Sequence, residues 1–145
     1  MPPKRTEEME KCADRLDRLK RLYGEERIIG VQKRLLTEPR LRDVGSVRGI
    51  YSYITEEGRR PLTGTRERES FVYVMAYLFS PEALLGRKMR KGVRKALSRC
   101  LGVRSESLIS KCLAQAVSDY GNYSDFRTQT DAMHSRIDGV LHLFR

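Results

Sequence analysis

At 145 residues the chain has the size of one ordinary domain, long enough to bury a core without disulfides or metal. Its 29 Lys and Arg against 19 Asp and Glu give a formal charge of +10, while Cys12, Cys100 and Cys112 are odd in number and lack Cys-x-x-Cys spacing, which argues against a disulfide scaffold and a zinc site. No apolar signal segment opens the chain, and the longest apolar run, Phe71 to Phe79, is about half of what spans a bilayer, so a soluble, reduced, cytoplasmic protein with no membrane partner is expected.

Residues 1 to 6 form a short basic arm, expected to be disordered. From Glu7 to Tyr23 a helical stripe runs through Met9, Cys12, Leu16, Leu19 and Tyr23, with Glu7 and Lys11, Asp14 and Arg18, and Asp17 and Arg21 paired at i,i+4 outside it. Gly24 interrupts, and a second helix is expected from Glu25 to Leu36, ending before Pro39. Val47, Ile50, Tyr51 and Ile54 fit either a short helix or an extended piece. Gly58 to Thr65, with Gly, Pro, Thr and two arginines, reads as a basic loop. Residues 66 to 79 are apolar nearly all round over their second half, as suits a central core helix. Ser80-Pro81-Glu82 has a capping hydroxyl, Pro at the first helical position and an early acid, the signature of a helix start.

The run from Arg87 to Arg104 holds eight bases and no carboxylate. Met89, Val93, Ala96, Leu97, Cys100 and Leu101 recur at helical spacing, so a helix is expected that docks by this stripe and shows Lys88, Lys91, Arg94, Lys95 and Arg99 to solvent. Such an uncompensated cationic ridge suits a polyanion. Gly102 stops the helix, and a second one is expected from Glu106 to Tyr120 on a stripe of Leu108, Ile109, Cys112, Leu113, Ala116 and Val117, closed by Gly121-Asn122. Ser124-Asp125 opens a last helix with Phe126, Met133, Ile137, Val140, Leu141 and Phe144 facing inward. Strand signals are weak throughout, and the expected class is all-α: one compact multi-helix domain over 7–145, with N-terminal helices in 7–55 and a helix-turn-helix region in 66–145.

Two helices joined by Leu101-Gly-Val-Arg-Ser105 have the layout of a helix-turn-helix, a tight bend with Gly near its apex and apolar residues on either side. Leu97, Leu101, Val103 and Leu108 are the expected lock. With the second helix in a major groove, Ser105, Glu106, Ser107, Ser110, Lys111 and Gln115 become the reading positions. Small serines allow close approach, Lys111 and Gln115 reach base edges, and Glu106 is placed to accept from a cytosine amine. Arg87, Lys88, Arg90, Lys91, Arg94, Lys95, Arg99 and Arg104 would hold phosphates.

Residues 70 to about 137 resemble the carboxy-terminal DNA-binding domain of the bacterial replication initiator DnaA. In that family a Gly-Gly-Arg-Asp-His-Ser/Thr-Thr-Val signature opens the recognition helix; here Gly102-Val-Arg104-Ser-Glu-Ser107-Leu-Ile109 stands in its place. Gly102, Arg104 and Ser107 match and Ile109 is conservative, whereas Ser105-Glu106 replaces the Asp-His pair and Leu108 replaces a Thr. The resemblance implies duplex DNA binding by a helix-turn-helix, without the family's sequence preference. Residues 1 to 69 hold no Gly-x-x-x-x-Gly-Lys-Ser/Thr loop, so no ATPase half is expected within them.

Two other partners fit the same residues: an acidic protein surface meeting the basic ridge, and RNA or a single strand stacking on Tyr51, Tyr53, Tyr120 and Tyr123 near Arg59, Arg60, Arg66 and Arg68. Tyr73 and Tyr77 are expected to pack, and His134 to be structural or exposed. A homodimer is compatible with the chain. No nucleophile and base lie at catalytic spacing, so no enzyme, cofactor or metal is expected.

Overall fold

A computed structural model describes residues 39–145, and the expected N-terminal arm, the helices of 7–23 and 25–36, and Cys12 lie outside the described residues. Among the described residues there are five α-helices and no strand, an all-α protein. The helices are α1 (Ser46–Ile54), α2 (Thr65–Phe79), α3 (Val93–Leu101), α4 (Glu106–Asn122) and α5 (Ser124–Asp138), with 3-10 turns at Pro81–Leu85 and Leu141–Leu143.

The ambiguous stretch around Val47 is helical because Val47, Ile50 and Ile54, spaced by three and four, all bury. Its β-branched residues and Tyr51 find core partners on that face, and tertiary packing overrides their strand preference. The Phe144 ring lies across α1, where a β-carbon on Gly49 would come within 2.8 Å of it. After Ile54, Glu56, Glu57 and Gly58 take positive φ angles in succession and turn the chain into the expected basic loop.

Around α2 the core is assembled. Phe71, Val72, Met75, Ala76 and Leu78 are fully buried, and α1, α3, α4, α5, the first 3-10 turn and Leu41, Leu62 and Leu141 add to the same core. Tyr51 packs edge-on to Phe71 at 5.4 Å, and Tyr73 stacks on Tyr120 at 4.6 Å between centroids. Tyr73 and Tyr77 are packing residues as expected, Tyr77 lying edge-on to His134. Tyr120, expected to be free for stacking, is instead buried in the α2–α4–α5 seam.

Polar groups also enter that seam. Ser70 and Thr130 share a hydrogen bond of 3.0 Å between α2 and α5. Glu69 and Asp119 are both buried between α2 and α4. Burial, followed by the hydrogen bond to the Asp119 carboxyl and its charge, pushes the Glu69 carboxyl up to about 7, with Arg66 pulling the other way. A proton kept on Glu69 removes the repulsion that two buried carboxylates would otherwise suffer.

Three boundaries differ from expectation. Ser80-Pro81-Glu82 opens only a single 3-10 turn, ended by Gly86 in the left-handed region. Helix α4 continues through Gly121 and Asn122 and closes at Tyr123. Helix α5 stops at Asp138, so Leu141 enters the core from a separate turn.

Candidate nucleic-acid interface

The largest correction falls on the basic run. The expected helix through Met89 does not form, and α3 starts only at Val93, behind Gly92 at φ 89°. A left-handed residue cannot continue a right-handed helix backward, so Arg87, Lys88, Arg90 and Lys91 lie on irregular backbone. Arg90 is also taken out of the ridge. Its backbone N–H donates to the Ser80 hydroxyl at 2.8 Å, and its Nε donates to Glu82 at 2.8 Å. Burial would raise the Glu82 carboxyl, but hydrogen bonds from its own backbone, Arg90 and Ser80 outweigh that and hold it below the ordinary carboxylate range. Ser80 therefore anchors the segment after the turn instead of capping a helix.

From Val93 onward the apolar stripe docks as expected. Val93, Leu97 and Leu101 are buried. Gly102 ends α3 at φ 67°, and the Val103 N–H reaches back to the Ser98 carbonyl at 3.0 Å, the Schellman type of closure. Four residues, Gly102 to Ser105, separate the two helices. The Ser105 hydroxyl then accepts from the Ser107 N–H at 3.1 Å, capping α4, with Glu106 in the first turn where the helix dipole favours an acid. The lock between α3 and α4 is made by Leu97, Leu101, Ile109 and Leu113 with partly buried Val103. Leu108 does not belong to it. It is 44% exposed, one position off the inward stripe that Ile109 occupies.

The predicted positions divide into four groups. On α4, Glu106, Ser107, Leu108, Ser110 and Lys111 face solvent around a half-buried Ser105, while Gln115 is held on Asp119 by a 2.9 Å hydrogen bond. Between α4, α3 and the segment after Gly86 lies a cleft of about 270 Å³ that gathers Arg87, Lys88, Arg94 and Ser110 over Leu113 and Val117. Arg94 donates to the Ser110 hydroxyl at 3.3 Å there. Lys95 and Arg99 are on the other flank of α3. They edge a second groove, of about 680 Å³, shared with Arg48 and Tyr51 of α1. Lys91 and Arg104 are exposed at the two ends of α3. The cations thus surround α3 and do not form one straight ridge.

Arg48 was not among the predicted positions, although the sequence held a signal for it. It sits off the Val47, Ile50, Ile54 stripe, and a helical reading of residues 46–54 would have placed it outward. Leu108 was missed because one residue separates a lock position from an outward one on a helix.

Both described cysteines are free and partly buried. Burial pushes the Cys112 thiol up to about 11, and it raises Cys100 against the opposing pull of Arg48. Among the described residues no group of three His, Cys, Asp or Glu is placed to hold a metal ion, and no helix is long and apolar enough to cross a membrane. No protein family, curated protein or solved structure matches the chain.

Proposed function

We propose that this protein binds double-stranded DNA non-covalently, laying the first turns of α4 in the major groove while the cleft beside it holds the phosphate backbone. The observation that carries the reading is the α3–turn–α4 unit. Two helices locked by Leu97, Leu101, Ile109 and Leu113, with a four-residue turn holding Gly102, leave a capped helix N-terminus in solvent. A helix-turn-helix has the same order of elements, two packed helices about a short turn with Gly. The resemblance to the DnaA carboxy-terminal domain points the same way.

In this reading Ser107, Leu108 and Lys111 approach base edges, Leu108 offering an apolar surface to a thymine methyl. Arg87, Lys88, Lys91, Arg94 and Arg104 hold phosphates and fix the register. Neutralising about five phosphates gives a slope of about −4.5 for log K against log salt, and several hundredfold loss of affinity between 50 and 200 mM salt. The test is a gel shift with random-sequence duplex, single strand and structured RNA at equal salt, followed by selection from a random duplex pool. The expected result is tightest binding to duplex and an enriched site containing a thymine step; equal binding to all three, or none, removes the reading.

A further inference from the structure

The groove between α1 and α3 is not needed to place α4 in DNA, yet it is built from residues of one sign. Arg48 comes from α1, and Lys95 and Arg99 stand one turn apart on α3. Among the described residues none of the three forms an ion pair, whereas Arg40, Arg60, Arg66 and Arg90 all do. Asp43, in the turn before α1, is turned onto the Gly45 N–H at 2.9 Å. Three unneutralised cations around a concavity focus positive potential into it.

The floor has a different chemistry from the rim. Val44, Ala96, Cys100 and the partly buried Tyr51 line it. The Tyr51 ring is fixed by its edge contact with Phe71. At about 680 Å³ the groove is within the range that holds a small ligand. A simple solvated helix face is convex and lacks such a floor. The combination calls for a ligand that joins several negative charges to a flat, weakly polar body.

We propose that this groove binds a nucleoside polyphosphate, its phosphates on Arg48, Lys95 and Arg99 and its base against Val44, Ala96 and Tyr51. The site is independent of whether α4 reads DNA. If it does, a bound polyanion neutralises Lys95 and Arg99 beside the interface and lowers duplex affinity, which makes the nucleotide an effector.

Titration calorimetry of the full chain with ATP and GTP tests this, with inorganic triphosphate, adenosine and a short thymidine oligomer as comparisons. Expected is saturable binding of at least one nucleotide, tenfold or more tighter than both triphosphate and adenosine. The double variant R48A/R99A should lose at least tenfold, and R87A/K88A should bind as wild type. Circular dichroism shows that the variants fold. As a second readout, the nucleotide should slow maleimide labelling of Cys100, which lines the groove, and leave Cys112 on α4 unchanged. The proposal is overturned by equal binding of triphosphate and nucleotide, by an unprotected Cys100, by loss in R87A/K88A alone, or by tighter binding of the oligomer than of any mononucleotide. Each of these results is independent of the duplex gel shift.

Discussion

The two flanks of α3 carry similar charge on different foundations. On the α4 side, Arg87, Lys88 and Arg94 gather over a small cleft next to a capped helix start, and Arg94 is already engaged with Ser110. On the α1 side, Arg48, Lys95 and Arg99 rim a groove more than twice as large with an apolar floor. On the two proposals, equal charge separates into a surface for a long polyanion and a concavity for a small one. Shape, set by which neighbour α3 packs against, decides what the same guanidinium groups can hold.

The largest expected effect removes the element that both flanks share. Leu97 is fully buried under α3, and Leu97→Ala should cost about 2–5 kcal/mol in urea or thermal unfolding. Both binding activities should fall together. A variant that unfolds normally yet loses only one would show that the flanks are not built on a common helix.

Charge removal on one flank separates them next. R87A/K88A should lower duplex affinity by on the order of tenfold or more at 100 mM salt, alike for all sequences. R48A should leave duplex binding nearly unchanged in the absence of nucleotide. Fluorescence anisotropy with a labelled duplex reads both.

Smaller effects belong to the turn. Gly102 has room for a β-carbon but sits at φ 67°, so Gly102→Ala should cost about 1 kcal/mol through backbone strain alone. Ser105→Ala removes the α4 cap and should cost about 1 kcal/mol. Leu108→Ala should leave stability within about 0.5 kcal/mol, since the side chain is exposed, and weaken discrimination of thymine from uracil at one position of a selected site.

The Glu69–Asp119 pair makes stability depend on pH. Glu69 titrates near 7 in the folded protein and at the ordinary glutamate value when unfolded, so the folded state binds more protons between the two. Its favourable contribution is complete at pH below the unfolded value and is lost as pH rises through about 7. Glu69→Gln, which keeps the hydrogen-bonding shape without the charge, should flatten the decline of Tm between pH 5 and 8 by a few degrees. An unchanged profile would mean that Glu69 does not carry the pH dependence.

Much of this is legible in the amino-acid sequence. The α2 core helix and the α3–turn–α4 unit follow from apolar spacing and from turn residues whose local preferences agree with the fold. The start of α3 was not legible, because Gly92 interrupts an apolar stripe that is otherwise continuous from Met89, and periodicity is blind to a left-handed residue. The tie between Arg90, Ser80 and Glu82 was hidden for a related reason: Ser-Pro-Glu is a sound helix start locally, and only the three-dimensional return of Arg90 redirects the hydroxyl. The groove on the α1 side needed both helices in place, since Arg48 lies 47 residues before Lys95 in the chain.

The most direct test of the central claim is the salt dependence of duplex affinity for the wild type and for R87A/K88A/R94A measured side by side. A slope near −4.5 is expected for the wild type, becoming shallower by about 2.7 in the triple variant, at about 0.9 for each phosphate no longer held. Identical slopes for the two proteins, or a wild-type slope near zero, would contradict it.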